Sequence, residues 1–387
     1  MRLIIAFMAP YVAAASDVDL SGAAAVEARV FTTDPRHSGQ SESGDYSFYL
    51  QPELRYEIIR GRITVIPFYR FDSIDAKRSH FDFREFNLRY FADRWDLSVG
   101  VDRVFWGVTE SRHLVDIINQ TDLVENIDQE AKLGQLMARF NWQADWGVIT
   151  AFVLPGFRER TFPGFDGRLR TVLPVADYTG VYESDKGDSH VDFALRYSNV
   201  FGDWDVGAYY FTGTSREPRL IADSSNRVLI PHYDQIQQAG IDAQLTMGSW
   251  LWKFEGINRH GQGEPFTAAV AGFEYTLYQI VDSNADLGLL GEWLYDGRDD
   301  SAPPTLFDRD LFLGLRLSMN DIAGSELLLG LFYDEEKQQQ LFKLDGKRRL
   351  AQNWSIELEA WRFQEPNNGG MDISRDNYVQ LQLIWNL

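Results

Sequence analysis

The sequence ends in Tyr378-Val-Gln-Leu-Gln-Leu-Ile-Trp-Asn-Leu387, a stretch in which apolar and polar side chains alternate. Its apolar positions are Val379, Leu381, Leu383, Trp385 and Leu387. This period of two predicts a strand with one apolar face and one mostly polar face. A final strand of this kind is typical of a membrane-spanning β-barrel, in which lipid covers the apolar face and the last strand pairs with the first.

Composition excludes two other classes of protein. No run of about 18 apolar residues follows the N-terminus of the 387-residue chain, which excludes spanning helices. The formal net charge of -20 argues against nucleic-acid binding. Aromatic residues make up 14% of the chain, as expected where an aromatic girdle lies at each membrane interface, and the absence of cysteine fits an oxidising exterior.

Residues 1–15 have the pattern of a signal peptide, because Arg2 precedes an apolar run that ends in three alanines. A buried first strand or helix is the alternative. Residues 16–387 are expected to form one all-β domain, an antiparallel up-and-down barrel. The alternating segments number about eighteen, with sixteen as the alternative, and most have the length of roughly 9–13 residues that a tilted spanning strand needs.

The connections between these segments alternate in length. Short turns, among them 59–60, 320–324 and 347–351, are predicted on the periplasmic side, and long external loops on the other side, above all at 106–132 and 155–188. This alternation is expected for an outer-membrane barrel and has no cause in a soluble sandwich. Tryptophan follows five of the short turns, which predicts an interfacial belt of Trp95, Trp146, Trp204, Trp250 and Trp354.

The positions predicted to face the lumen carry nearly twice as many acidic as basic side chains. Asp102, Glu255 and Glu292 are among the acids, and Arg139 is among the bases. One interpretation is an aqueous pathway whose negative field favours cations or polar neutral solutes. The other is a lattice of ion pairs that stiffens the wall and holds loops inside the barrel. We expect both.

The third external loop is unusually apolar. Leu114, Ile117 and Ile118 fall on one face of a helix, and a second apolar group at 123–127 follows Thr121-Asp122, which has capping residues. Apolar surface of this extent needs a packing partner, so we expect the loop to fold into the barrel and narrow the pore. Near the opening we expect Glu110, Asp116, Asn119 and Asp122. A helical cap on the rim and a partner-binding loop are the alternatives.

The fourth external loop carries a basic cluster of Arg158, Arg160, Arg168 and Arg170. Three functions are open for these arginines: neutralising lumen acids, binding lipopolysaccharide phosphates, and binding an anionic substrate. Pairing with acids of the wall or surface is the simplest of the three.

No pattern in the sequence indicates catalysis or a cofactor. Gly-x-Ser-x-Gly, His-Glu-x-x-His and a phosphate-binding loop are all absent, and the six histidines have no metal-ligand spacing. The acidic clusters 299–300 and 334–336 are interpreted as solvated loop charges rather than calcium sites. We therefore predict a protein that is not an enzyme and that has neither a metal site nor a cofactor.

Three segments resemble a known family. The segment 103–111, which reads Arg-Val-Phe-Trp-Gly-Val-Thr-Glu-Ser, the segment 115–122, which reads Val-Asp-Ile-Ile-Asn-Gln-Thr-Asp, and the segment 162–170 are similar to those of alginate-export-type outer-membrane channels and related barrels. The resemblance implies an 18-stranded barrel that passes polar or charged solutes. A basic lumen would suit a polyanion, and the acidic lumen predicted for this chain departs from that pattern.

The sequence thus predicts a porin-like channel of the bacterial outer membrane for passive passage of small polar or cationic solutes. The alternatives are an export conduit of the alginate type, and a loop-plugged barrel with a structural or ligand-uptake role. Expected partners are outer-membrane lipid, lipopolysaccharide and, through the C-terminal strand, the barrel assembly machinery. A homo-oligomer interface and lipid contact look alike in one sequence, so oligomeric state stays open.

Overall fold

The structure is a computed structural model that describes residues 18–176, 179–225, 227–365 and 373–387. The predicted signal peptide at 1–15 lies outside the described residues. Among the residues described, no helix is long and apolar enough to cross a membrane.

The described residues form 21 strands and two short 3-10 helices, Gly187–Ser189 and Ile280–Asp282. The strands are β1 Val18–Phe31, β2 Gly44–Ile58, β3 Gly61–Asp72, β4 His80–Phe91, β5 Trp95–Asp102, β6 Gln135–Ala144, β7 Gly147–Pro155, β8 Val181–Tyr182, β9 Val191–Phe201, β10 Trp204–Thr214, β11 Arg219–Ala222, β12 Leu229–Tyr233, β13 Gln235–Met247, β14 Trp250–His260, β15 Phe266–Leu277, β16 Asp286–Asp296, β17 Arg309–Ser318, β18 Glu326–Asp334, β19 Gln340–Ala351, β20 Trp354–Phe363 and β21 Tyr378–Asn386.

Eighteen of these strands form one closed antiparallel sheet. Each barrel strand pairs with its neighbour in the chain, and β1 pairs with both β2 and β21, which closes the ring. The prediction of an 18-stranded up-and-down barrel is confirmed. The three remaining strands, β8, β11 and β12, form a small separate sheet in the external loops. This sheet was not predicted, because its strands have two, four and five residues, too few for a visible period.

The two faces of the terminal strand follow the predicted alternation. Leu381 and Trp385 are exposed on the outer surface, while Gln380 and Ile384 are buried. The same alternation places Leu313 and Leu315 outside and Phe312 inside. A slip of one residue would reverse both faces, so burial fixes the register of each strand.

The predicted tryptophan belt lies on the outer surface near the short turns. All five indoles are exposed, and several contact neighbouring aromatic rings, such as the stacked pair of Trp250 and Trp252 with centroids 5.4 Å apart. Rings that are amphipathic and exposed at strand ends are suited to the headgroup level of a membrane.

One predicted turn is wrong. Residues 347–351 belong to β19, with a register irregularity between Arg349 and Ala351, and the turn lies at 352–353. The basic run 347–349 hid the alternation. Acids beside it neutralise these charges, since Lys347 pairs with Glu326 at 2.8 Å.

Candidate functional site in the barrel lumen

Residues 103–134, here called loop 3, lie inside the barrel. Their apolar side chains are packed away from solvent: Trp106, Leu114, Val115, Ile117, Ile118 and Val124. The expected helices are absent, because this segment, which is described throughout, consists of turns, extended residues and isolated bridges. Contacts with the wall replace the helical hydrogen bonds for many backbone groups of the loop.

Glu255 on β14 binds the first half of loop 3. Its carboxylate accepts hydrogen bonds from the backbone N–H groups of Val108 (2.7 Å), Thr109 (3.0 Å) and Val115 (3.2 Å) and from the Thr109 hydroxyl (2.7 Å). Glu255 is completely buried. A buried carboxylate is stable only when donors surround it, and here loop 3 supplies them.

Glu292 on β16 makes a second attachment of the same kind. It accepts from the backbone N–H groups of Glu110 and Ser111, both at 2.8 Å, and from the Ser111 hydroxyl. Beside it, the Glu110 carboxylate pairs with Arg316 on β17 at 2.5 Å. Hydrogen bonds to charged groups contribute roughly 1.5–3 kcal/mol each, so the two glutamates are strong anchors.

The second half of loop 3 reaches other strands of the wall. Glu125 pairs with Arg70 on β3 at 2.7 Å, and Asn126 donates to Glu359 on β20 at 2.6 Å. Asp128 lies 3.6 Å from the Lys343 ammonium group on β19. Because its attachments run from β14 and β16 to β3, β19 and β20, loop 3 spans the lumen.

His113 lies between the two halves of loop 3. Its Nε2 is 3.0 Å from Glu130 and its Nδ1 is 3.8 Å from Glu255. Burial disfavours the charged ring, but the hydrogen bond to Glu130 and the negative charges of both carboxylates outweigh it and raise the pKa of His113 to about 10. At neutral pH the imidazolium therefore joins the first half of loop 3 to Glu130 in the second half and interacts with Glu255 on β14.

Three cavities follow one another through the barrel. The outer cavity, about 140 Å³, lies among the external loops; the middle cavity, about 110 Å³, lies beside loop 3; and the inner cavity, about 510 Å³, lies on the side of the short turns. Arg112, Arg160 and Phe307 line both the outer and the middle cavity. Asp128 and Glu130 line both the middle and the inner cavity. Side chains of loop 3, of the fourth external loop and of the loop before β17 lie between the three spaces.

The charges of these cavities differ. Eight acidic and six basic side chains line the inner cavity. Seven arginines and lysines line the middle cavity, against five acids. The lumen is thus acidic below loop 3 and basic beside it.

The residues predicted to lie near the opening occupy two kinds of position. Glu110, Asp116 and Asn119 line the middle cavity. Asp122 is completely buried and pairs with Arg84 on β4 at 2.8 Å. Asn119 links the ends of loop 3, since its amide donates to the backbone carbonyls of Asp102 and Leu133, both at 2.9 Å.

Two other predicted lumen residues pair with each other. Asp102 at the end of β5 lies 3.1 Å from Arg139 on β6, and neither lines the three cavities. This pair belongs to the wall.

The four arginines of the fourth loop do not act as one cluster. Arg158 pairs with Asp82 at 2.8 Å and Arg168 with Asp376 at 2.8 Å. Arg170 donates to backbone carbonyls of its own loop and lines the outer cavity. Of the four, Arg160 alone lines the middle cavity, beside residues that the sequence did not predict there.

Those neighbours are Arg112, Arg259 and Arg298, which surround Glu217. They come from loop 3, from the end of β14 and from the loop after β16. Their charges pull the pKa of Glu217 well below its ordinary value although burial opposes ionisation. No local sequence signal joins these residues, because 186 positions separate Arg112 from Arg298.

Among the described residues, one group has the spacing of a metal site, namely His80, Asp122 and Glu125. Arg84 already donates to Asp122 at 2.8 Å, and Arg70 donates to Glu125 at 3.0 Å. Guanidinium groups thus take the place that a cation would need, and the group is better described as part of the ion-pair lattice.

No protein-family model and no curated protein matches the chain. Solved structures do. A BenF-like porin from Pseudomonas fluorescens is similar with a TM-score of 0.55 and 8% identity, covering 96% of this chain and 98% of its own. OccK3 (OpdO) of Pseudomonas aeruginosa has a TM-score of 0.53 and 11% identity, covering 95% and 96%.

A third similar structure is Wzi of Escherichia coli, described as a carbohydrate-binding β-barrel involved in capsule assembly. Its TM-score is 0.54 and its identity 10%, covering 93% of this chain and 83% of its own. At such identities the likeness concerns the fold alone. The chain has the fold of bacterial outer-membrane β-barrel porins.

Proposed function

We propose that this chain is a channel of the bacterial outer membrane for passive passage of small polar solutes, with loop 3 as its constriction. The observation that carries the proposal is the series of three cavities, which share lining residues from the external loops to the side of the short turns. A solute would move between them past Arg112 and Arg160, and then past Asp128 and Glu130. Pore width and wall charge then decide which solutes pass.

We further propose a preference for cations or neutral solutes. The support is the inner cavity, the widest of the three, whose acids outnumber its bases. A wall of one net sign inside a low-dielectric barrel raises the local concentration of ions of the opposite sign. The same acidity disfavours the alternative of polyanion export.

Single-channel recording in a planar bilayer tests both parts. The folded barrel, checked by its heat-modifiable mobility, should give steady conductance, and a salt gradient should give a reversal potential of cationic sign. Absence of conductance would overturn the channel proposal, and an anionic reversal potential would overturn the preference.

A loop-plugged barrel is the second candidate function. The narrow middle cavity and the anchoring of loop 3 by Glu255 and Glu292 favour it. In that case the wild-type barrel would be closed, and only variants with a freed loop 3 would conduct.

The proposed partners follow from the outer surface. Lipid would cover the exposed apolar belt, and lipopolysaccharide would lie at the external rim. The barrel assembly machinery would bind the C-terminal strand β21. A homo-oligomer would use part of the same belt. Cross-linking in native membranes tests the oligomer, since cross-linked bands should appear at multiples of the monomer mass.

A further inference from the structure

An apolar groove lies on the outer surface of the barrel over β16 to β21. Its volume is about 790 Å³, larger than that of each of the three lumen cavities. The outward side chain of β20 in this groove is Ala360, which pairs with Leu344 on one side and Val379 on the other. A small side chain between two larger ones makes a depression, and the surface of such a depression gains dispersion contacts when an acyl chain fills it. The rest of the lining is mostly leucine: Leu289, Leu313, Leu315, Leu329 and Leu331.

Arg362 lies at the external end of this groove. It is exposed on the outward face of β20, two residues after Ala360 and opposite Phe342 on β19, and its guanidinium carbon is 5.9 Å from the Phe342 ring centroid. Among the residues that the structure describes, no carboxylate lies within 4.0 Å of Arg362, whereas Arg309 on β17 pairs with Glu336 at 2.9 Å. A guanidinium group without an acid is suited to a phosphate, which it binds through two N–H groups.

The exposed aromatic rings of the outer surface leave a gap around Arg362. At this level the outward side chains of β20, β21 and β1 include Arg362, Val379 and Val30, and none of these three strands has an exposed ring near its external end. Neighbouring strands are about 4.8 Å apart, so the gap from β19 to β2 is about 19 Å wide. Exposed rings stand on both sides of the gap: Tyr333, Phe342, Tyr46 and Phe71.

The order of groups along the groove corresponds to one kind of lipid. Arg362 lies next to the external loop, and the apolar surface continues from it toward the middle of the strands. The external leaflet of a bacterial outer membrane consists of lipopolysaccharide, whose lipid A part has phosphates directly beside its acyl chains. A phosphate at Arg362 would therefore place an acyl chain over Ala360.

We propose that this groove is a binding site for lipopolysaccharide, with a lipid A phosphate on Arg362 and an acyl chain in the depression at Ala360. The proposal deepens the contact with lipopolysaccharide proposed above and rests on it, since it assigns that contact to one place on the outer surface. It is independent of passage through the lumen, because the groove and the lumen are on opposite sides of the barrel wall.

Native mass spectrometry of the folded full-length barrel in detergent tests the site. The probes are lipid A with both phosphates, the same lipid without its phosphates, and phosphatidylglycerol. We expect one molecule of diphosphorylated lipid A to be retained per barrel, and the phosphate-free form to bind roughly tenfold more weakly, because it lacks the charge-assisted hydrogen bonds to Arg362. Phosphatidylglycerol, with two acyl chains and one phosphate, should bind more weakly than diphosphorylated lipid A.

Two variants separate the charged part of the site from the apolar part. Arg362→Gln should lower the affinity for diphosphorylated lipid A to that for the phosphate-free form, and leave the latter unchanged. Ala360→Phe fills the depression and should weaken both forms roughly threefold to tenfold. The matched controls are Arg94→Gln at a short turn and Ala208→Phe on the outward face of β10, both without effect.

A folded barrel that retains no lipid A would overturn the proposal, and so would equal retention of phosphatidylglycerol. Retention of lipid A that neither groove variant changes would leave the general contact with lipopolysaccharide intact and overturn this site. Dimers or trimers that Ala360→Phe dissociates, with lipid A binding unchanged, would assign the groove to a second copy of the chain instead. Heat-modifiable mobility shows that each variant is folded, and single-channel conductance, which neither variant should change, tests the channel separately.

Discussion

The inner and middle cavities lie in one barrel and differ in volume, in the balance of their charged side chains and in their aromatic lining. The inner cavity is wide, with eight acids against six bases. The middle cavity has about a fifth of that volume, with seven bases against five acids and a wall of stacked rings. A net charge of -20 for the whole chain therefore does not give the sign of the field that a solute meets. The sign of this field depends on the position of loop 3, because side chains of loop 3 line both the inner and the middle cavity.

The largest expected effect comes from freeing loop 3. In the double variant Glu255→Ala/Glu292→Ala, the backbone donors of residues 108–111 and 115 lose their acceptors inside the barrel. Each backbone donor left without an acceptor costs about 1–3 kcal/mol, so the attachment of loop 3 to β14 and β16 is lost. The middle cavity should merge with the inner one, and single-channel conductance should rise roughly twofold to fivefold.

The control is Glu264→Ala, an exposed loop residue whose loss should leave conductance unchanged. Unchanged conductance in a folded double variant would show that these two carboxylates do not hold the loop, and the distinction between the cavities would then have another cause.

The next effect is on pH dependence. The fold raises the pKa of His113 to about 10 through Glu130 and Glu255, against burial. Stabilisation of loop 3 by the imidazolium is thus complete below the ordinary pKa of about 6.5 and is lost as pH rises through about 10. The other charged groups nearby are Asp116, and Lys132, which lies 3.2 Å from Asp116.

Conductance of the wild-type barrel should therefore increase as pH rises through about 10, and His113→Gln should be more conductive at neutral pH without that transition. Comparing the conductance of the two proteins over pH 7–11 separates the effect of His113 deprotonation from that of lysine deprotonation, which occurs in both proteins. An identical transition in both proteins would exclude His113 as the titrating group.

The third effect is on selectivity. Glu326 and Glu357 line the inner cavity alone, and replacing both with glutamine leaves six acids against six bases. The cationic reversal potential in a salt gradient should then fall to nearly zero, whereas Glu335→Gln/Glu336→Gln in an external turn should leave it unchanged. A full cationic potential in the first variant would mean that selectivity arises at loop 3 instead.

The barrel was predictable because its rules are local. Alternation along β21 repeats every two residues, tryptophan follows five of the short turns, and one face of each strand is exposed, so pattern and structure correspond directly. The prediction of a turn at 347–351 was wrong because the three basic side chains at 347–349 obscured the alternation.

The lumen was far less predictable. The inward positions of Glu255 and Glu292 followed from alternation, but their hydrogen bonds to loop 3 did not, because the partners lie about 140 to 180 residues away in sequence. Apolar spacing predicted helices in loop 3, and contacts with the wall prevented them. Arg112, Arg259 and Arg298 meet Glu217 only after the barrel closes, so no sequence period reports that group.

The smallest expected effect concerns Asp128, which lies where the two cavities meet. Burial raises the pKa of Asp128, while Lys343 lowers it in part. As pH falls from 7, Asp128 should take up a proton before the carboxylates of exposed loops. Protonation removes one negative charge from the boundary between the cavities. Cation preference should therefore decrease slightly on acidification in the wild type, and Asp128→Asn should show the decreased preference already at pH 7. If Asp128→Asn instead matches the wild type at every pH, the boundary charge does not contribute to selectivity and the field of the inner cavity acts alone.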